Sequence, residues 1–410
     1  MINCFIPFLS LPQARQTVRA LGLCDRIKNI YLLATEKIPD EVEGCEMLMI
    51  DSPASTATFR TIALHADTAY TLLYTKYTAF EPGQFAFERL LAIAGDTNAG
   101  MLYADRYLLK NGNSQQAPVI DYQKGSLRDD FDFGSLLFFR SSVLKQAVRA
   151  MDADYRFAGL YDLRLRVSEL AELVHVNEYL YSEVETDIRK SGEKLFDYVD
   201  PKNRAVQIEM EAVCTAYLKR VGGYLAPDFE PVTFDVGGFE QEASVIIPVR
   251  NRIRTIEDAI RSVLAQKTTF RFNLIIVDNH STDGTSEAIG KYTADGRVVH
   301  LVPERSDLGI GGCWNVGVHH PACGKFAVQL DSDDVYSGPD TLQKIVDAFY
   351  EQNCAMVVGT YRMTDFKMNE IPPGIIDHRE WTLENGRNNA LRINGLGAPR
   401  AFYTPCLLYT

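Results

Sequence analysis

The chain has 410 residues, 46% of them hydrophobic and 23% charged, the composition of a folded globular protein with apolar material for more than one core. Its formal net charge of -12 argues against a nucleic-acid binder, because a phosphate backbone demands clustered Lys and Arg. No apolar run reaches about 18 residues, so no membrane-spanning helix is expected, and residues 1–12 lack the basic start of a signal peptide.

The eight cysteines, Cys4, Cys24, Cys45, Cys214, Cys313, Cys323, Cys354 and Cys406, include no CxxC pair. That spacing suits neither a zinc site nor a disulfide framework, and it predicts reduced thiols in a cytoplasmic protein. Peripheral attachment at the inner face of a membrane is compatible with this reading.

The first half opens on a short apolar run, Cys4 to Ile6, stopped by Pro7. It closes on residues 203–220, which read as a helix. The stretch 222–242 is rich in Gly, Pro and acidic residues without a sustained period, as a linker would be. Three segments are therefore expected: a first domain over 1–221, a linker over 222–242 and a second domain over 243–410.

Beyond the linker the pattern is regular. Residues 244–248 form a short buried strand ended by Pro248, and Ile253, Ile256, Ile260, Val263 and Leu264 recur at helical spacing. Strands follow at 274–277, 298–302, 326–330 and 355–361, with helices at 285–292 and around Leu342, Ile345, Val346 and Phe349. Alternation of this kind predicts α/β units on a mostly parallel, doubly wound sheet. Such sheets bind ligands beyond the carboxyl ends of their strands.

Those ends carry the polar clusters: Pro248, Arg250 and Asn251; then Asp278, Asn279, Ser281, Thr282, Asp283 and Gly284; then Asp331, Ser332, Asp333 and Asp334. In extended backbone Asp331 and Asp333 share a face. Their repulsion is relieved by a hard divalent cation such as Mg²⁺ or Mn²⁺. Taken singly, each cluster is also accounted for by a solvated turn or a helix cap. The same holds for Gly309, Gly311, Gly312 and Gly317 around Asn315. Their order at successive strand ends is what sets them apart. Adjacent His319 and His320 face different directions on a helix and do not suit joint ligation.

Over residues 243–403 the sequence resembles the family 2 glycosyltransferases, which have the GT-A fold. SVIIPVRN is similar to that family's opening strand, IIVDNHSTDGT to its nucleotide-contacting turn, RSDLGIGGCWNVG to its Gly/Asn segment and VQLDSDD to its DxD metal motif. The resemblance implies a nucleoside-diphosphate sugar donor and a glycan or glycoconjugate acceptor, with no nucleic-acid partner. Pro248, Arg250, Asn251, Asp278, Asp283, Asn315 and Asp331 would serve the donor. Asp331, Asp333 and Asp334 would hold Mg²⁺ or Mn²⁺, and Arg305 is a further candidate for the phosphates. Inversion at the anomeric carbon and polysaccharide synthesis in bacteria are family habits.

The acceptor side would include Asn394, Gly395 and Arg400. The family's catalytic base follows this region and is not identified in the second domain; Asp365 is a weak candidate. Residues 406–410 resemble a translated adapter remnant, so the reading frame is expected to continue past Thr410.

Residues 1–220 repeat the plan. Residues 4–7 parallel 245–248, residues 70–78 parallel 326–334, and Thr75, Tyr77 and Thr78 replace the three aspartates. Hydroxyls are poor substitutes for carboxylates as ligands of a hard cation. Residues 127–135 resemble an acceptor-side loop and 158–166 the segment carrying the base. Asp162 takes that place, unless it pairs with Arg166 at i,i+4 spacing. Two tandem GT-A domains are expected, the first degenerate and supplying acceptor-binding surface. A noncatalytic carbohydrate- or nucleotide-binding protein is the alternative. A nucleotidyltransferase ranks third, because the opening strand lacks a Gly-rich basic loop.

Overall fold

The computed structural model describes residues 1–37, 41–110, 112–184, 203–379, 381–382, 386–393, 396–397 and 400–408. The chain forms two compact units: Met1–Tyr224 with Arg379–Asn394, and Leu225–His378 with Gly395–Thr410. The eight cysteines are free thiols. Among the described residues no helix is long and apolar enough to cross a membrane.

Unit 1 contains the strands β1 (Ile2–Pro7), β2 (Ile27–Ala34), β3 (Glu46–Met49), β4 (Tyr70–Tyr74), β5 (Phe80–Pro82), β6 (Met101–Lys110), β7 (Asn113–Ala117), β8 (Leu136–Arg140) and β9 (Leu173–Val184). They form one sheet in the order β3-β2-β1-β4-β8-β6-β9-β5, with β7 on β6. Unit 2 contains β10 (Ala243–Val249), β11 (Phe272–Asp278), β12 (Val298–Leu301), β13 (Phe326–Gln329), β14 (Met356–Val358) and β17 (Arg400–Tyr403), in the order β12-β11-β10-β13-β17-β14. A separate hairpin pairs β15 (Tyr361–Thr364) with β16 (Glu370–Ile376).

Both sheets begin with four parallel strands and then take an antiparallel one, β8 or β17. The registers match as well. Cys4 opposes Leu72 in unit 1 and Val245 opposes Val328 in unit 2, so residues 70–78 occupy the place of 326–334. Mostly parallel α/β sheets are thus observed in both units.

Strand β10 is buried on both faces, as a central parallel strand must be. Val245, Ile247 and Val249 pack against Ile256, Ile260 and Val263 of the helix Ile256–Leu264. On the other face Ile246 meets Cys313 and Val318 of the helix Ile310–Val318. That helix lies close because of Gly317, where an added Cβ would come within 2.6 Å of Ile246 Cγ2. The stretch 225–242 has neither helix nor strand. Its Phe234 nevertheless joins the unit 2 core, 5.5 Å from the ring of Phe326 and 5.1 Å from that of Tyr403.

Candidate functional site

In unit 2 the three polar clusters emerge from neighbouring strands at one edge. Val249 opposes Asp278 across β10 and β11, and the amide of Leu330 donates to the carbonyl of Ile246 at 3.2 Å. The loops after β10 and β11 are tied to each other. Asn251, at φ 55, receives the amide of Thr282 on Oδ1 at 2.8 Å, and its own amide donates to Ser281 Oγ at 2.9 Å. Asp283 accepts from the amides of Ile253 at 3.2 Å and Thr285 at 3.1 Å. The Thr285 hydroxyl, bonded to Asp283 and the amide of Arg252, completes the junction. Asp283 is held below the ordinary carboxylate range, chiefly by that hydroxyl.

Asp278 is wholly buried. Its Oδ1 accepts the amide of Ser281 at 2.9 Å, its Oδ2 accepts the Ser286 hydroxyl, and His300 Nε2 lies 3.6 Å from Oδ2. Burial works to raise this carboxyl, but the bonds from Ser286 and Ser281 outweigh it and hold it below the usual range. Neighbouring Asn279 donates to the carbonyl of Leu308, fixing the approach to the helix Ile310–Val318.

At the end of β13, Gln329 bridges two predicted site residues. Its Nε2 donates to Asp331 Oδ1 at 3.0 Å, and its Oε1 accepts from Arg400 Nε at 3.0 Å. Asp333 lies 3.8 Å from Arg252 Nε. Crowding by protein, then the charges of Asp331 and Asp333, push the Asp334 carboxyl up to about 6. The three aspartates do not offer ligand oxygens all within 4.8 Å of one another; among the described residues that arrangement occurs at Cys24, Asp25 and Glu88. A Cβ added at Gly397 would come within 3.0 Å of the Tyr361 ring, and burial together with the Asp334 charge raises the Tyr361 phenol.

The remaining predicted residues are placed as follows. Pro248 is buried within β10, and Arg250 is exposed just beyond it. Asn315 is exposed on its helix, and its carbonyl accepts from His319 Nδ1 at 2.8 Å. Arg305 pairs with Asp307 at 2.8 Å in solvent. Asp365 accepts the amides of Lys367 and Asn369 in the turn between β15 and β16. Asn394 and Gly395 lie outside the described residues.

In unit 1 Asp162 is buried, with Arg166 Nε at 2.9 Å from Oδ1 and, among the described residues, no hydrogen-bond partner on Oδ2. Burial raises it, against the pull of Arg166. Ala34 follows Leu33, the residue opposite Pro7, and so stands where Asp278 does in unit 2. Beyond β4 the position of Ser332 is taken by Lys76, which binds the fully buried Glu183 at 2.6 Å.

Arg252, Gln329, Ser286 and His300 were not singled out by sequence. Gln329 had a usable signal: it stands two residues before Asp331, on the same face of an extended strand.

Residues 244–406 match the profile of the family described as Glycosyl transferase family 2. TuaG of Bacillus subtilis, a glycosyltransferase assigned to teichuronic acid biosynthesis, is 33% identical over 120 residues, which are 29% of this chain and 46% of that protein. An uncharacterized glycosyltransferase of Rickettsia conorii is 38% identical over 97 residues, 24% of this chain and 15% of that one. The chain thus spans less than half the length of either relative. Among solved structures, Staphylococcus aureus TarS 1-349 aligns at 25% identity with a TM-score of 0.34, over 41% of this chain and 48% of that one.

Proposed function

Because residues 244–406 match the profile of glycosyl transferase family 2, we propose that unit 2 transfers a sugar from a nucleoside diphosphate donor to a glycan or glycoconjugate acceptor. The observation that carries the proposal is the set of loops at one edge of β10, β11 and β13, where Asn251, Asp278 and Asp283 lock two loops and Asp331 is held by Gln329. In this reading Pro248, Arg250, Asn251, Asp278, Asp283, Asn315 and Asp331 form the donor side, and Arg400 belongs to the acceptor side.

A departing diphosphate gathers negative charge, and Mg²⁺ or Mn²⁺ would stabilise it as a Lewis acid. Asp331, Asp333 and Asp334 would hold the ion. The charges of Asp331 and Asp333, which add to burial in raising the Asp334 carboxyl, support this, since a cation relieves such repulsion. Mg²⁺ commonly keeps only one or two protein carboxylates beside substrate phosphates, so a preformed triad is not required. The transfer we propose inverts the anomeric carbon. The acceptor oxygen bonds to that carbon as the bond to the diphosphate breaks, and the hydroxyl proton passes to a base.

Unit 1 calls for a different reading. With Ala34, Thr75, Tyr77 and Thr78 at the places of Asp278 and the three aspartates, it lacks the carboxylates that would serve donor and metal. We assign it a noncatalytic role. Calorimetric titration of UDP and GDP, with and without Mn²⁺, tests the whole assignment. Binding should require the metal and be lost in Asp331→Asn; metal-independent binding that survives the substitution would refute it.

A further inference from the structure

Arg392 is completely buried, which an arginine tolerates only when its charge is paired. Its guanidinium donates to Asp129 Oδ2, to Gln207 Oε1 at 2.7 Å and to Asn389 Oδ1. The backbone joins in, the amide of Asp129 donating to the carbonyl of Arg392 at 3.2 Å. Next to it, Asn388 donates through its amide to Glu211 at 3.0 Å and through Nδ2 to Thr215 at 2.6 Å. Arg387 donates to the hydroxyl of Tyr224 at 2.9 Å. Residues 387–392 are therefore fastened along the helix Arg204–Val221, within unit 1.

Asp129 is itself held from its own side. Tyr161 donates to the carbonyl of Leu127 at 2.5 Å, and Arg164 to the carbonyls of Ser126 and Arg128 at 3.1 and 2.9 Å. The fastened segment thus meets a seat that is itself tied by hydrogen bonds to Tyr161 and Arg164. Its place in the sequence is the informative part. It lies between β16 and β17, both strands of unit 2, and runs directly into the stretch that reaches Arg400.

The two partners also correspond. Arg140 opposes Tyr70 and Tyr403 opposes Phe326, the first residues of β4 and β13. Asp129 and Arg392 stand equally far before Arg140 and Tyr403. Each comes from the stretch leading into its own antiparallel strand, and the two are paired with each other.

We infer that unit 1 is an anchor for the acceptor-side stretch of the transferase domain, with Arg392 as the positioning residue. The inference rests on the proposed transferase reading for the word acceptor; the anchoring does not. The carboxylate of unit 1's own acceptor-side loop is occupied by Arg392, so this face holds a segment of the same chain. Transfer in unit 2 then depends on unit 1 without unit 1 touching a donor.

The test uses the full chain in a Trp314→Phe background, which leaves Trp381 as the one tryptophan of the two in the sequence. Asp129→Ala should speed tryptic cleavage after Arg392 at least tenfold and lower the fluorescence anisotropy of Trp381. Amide exchange across residues 396–402 should rise with it, while Asp129→Asn, which keeps an acceptor oxygen, falls between. Unchanged cleavage and anisotropy in a cooperatively melting Asp129→Ala protein would overturn the anchor. So would an opened segment that leaves exchange across 396–402 unaltered. Should Asp129→Ala fail to fold, Thr215→Val, which removes only the Asn388 contact, should still raise cleavage severalfold; cleavage at the wild-type rate would overturn the anchor. UDP with Mn²⁺, titrated in parallel, should bind within twofold of wild type. If it binds to neither protein, the transferase reading fails while the tryptic result still decides the anchor.

Discussion

Gln329 presents one end of its amide to Asp331 and the other to Arg400, each at 3.0 Å. A buried side chain on β13 therefore joins a predicted donor residue to a predicted acceptor-side residue. Gln329→Leu keeps the volume and removes both bonds. We expect the affinity for UDP with Mn²⁺ to fall about tenfold, which corresponds to about 1.4 kcal/mol. Calorimetry on a variant that still melts cooperatively reads this directly; unchanged affinity would show that Asp331 needs no such support.

The carboxyl of Asp334, raised to about 6, gives a pH dependence with a definite sign. A group whose folded pKa exceeds its unfolded value binds its proton more tightly when folded. Protonation therefore favours the folded state below about pH 6, and the metal-free protein loses stability as pH rises from about 4 through 6. Metal binding runs the other way, because it needs the carboxylate. Apparent Mn²⁺ affinity should drop as pH falls through 6, and Asp334→Asn should flatten both curves. A metal-free melting temperature that does not change between pH 4.5 and 7 would contradict this.

Asp278 has the opposite shift. Its folded pKa is lowered, so its contribution is present above the unfolded value near 3.9 and disappears as pH falls through the folded one. Ser286→Ala removes one bond to a buried carboxylate and should cost roughly 1.5–3 kcal/mol. Urea unfolding at pH 7 measures that loss. The acid limb of the stability curve should move to higher pH in the same variant.

How much of this was readable beforehand differs by residue. The strands around Val245, Ile276 and Val328 announced themselves as short apolar runs between turn residues, and the ends at Asp278 and Asp331 followed from where those runs stop. The parallel between residues 70–78 and 326–334 was also legible, because the same strand with the same neighbours keeps the same pattern. What sequence did not reveal was long-range pairing. Arg252 meets Asp333 only because the loop after β10 folds toward β13, and nothing in local periodicity encodes that approach. Arg392 gave no signal at all, since a buried arginine is unexpected until its partner Asp129 is known. Phe234, in a stretch read as a linker, packs its ring against Phe326, a partner far along the chain that local pattern does not reveal.

Gly317 tests the packing beneath the site. A methyl group there would meet Ile246 Cγ2 at 2.6 Å and push the helix Ile310–Val318 from β10. Gly317→Ala should destabilise unit 2 by about 1–3 kcal/mol through overpacking. Adding Ile246→Val should recover part of the loss. A stabilised Gly317→Ala variant, as helix propensity alone would give, would show that the helix has room to move.

The central claim is that the donor is held by unit 2 and not by unit 1. Photo-crosslinking with an azido nucleoside diphosphate, with and without Mn²⁺, followed by peptide mapping, addresses it most directly. We predict metal-dependent label confined to peptides from residues 248–283 and 305–334, and its disappearance in Asp333→Ala. Label on peptides of unit 1, around residues 34 or 75–78, or equal labelling without the metal, would contradict the account.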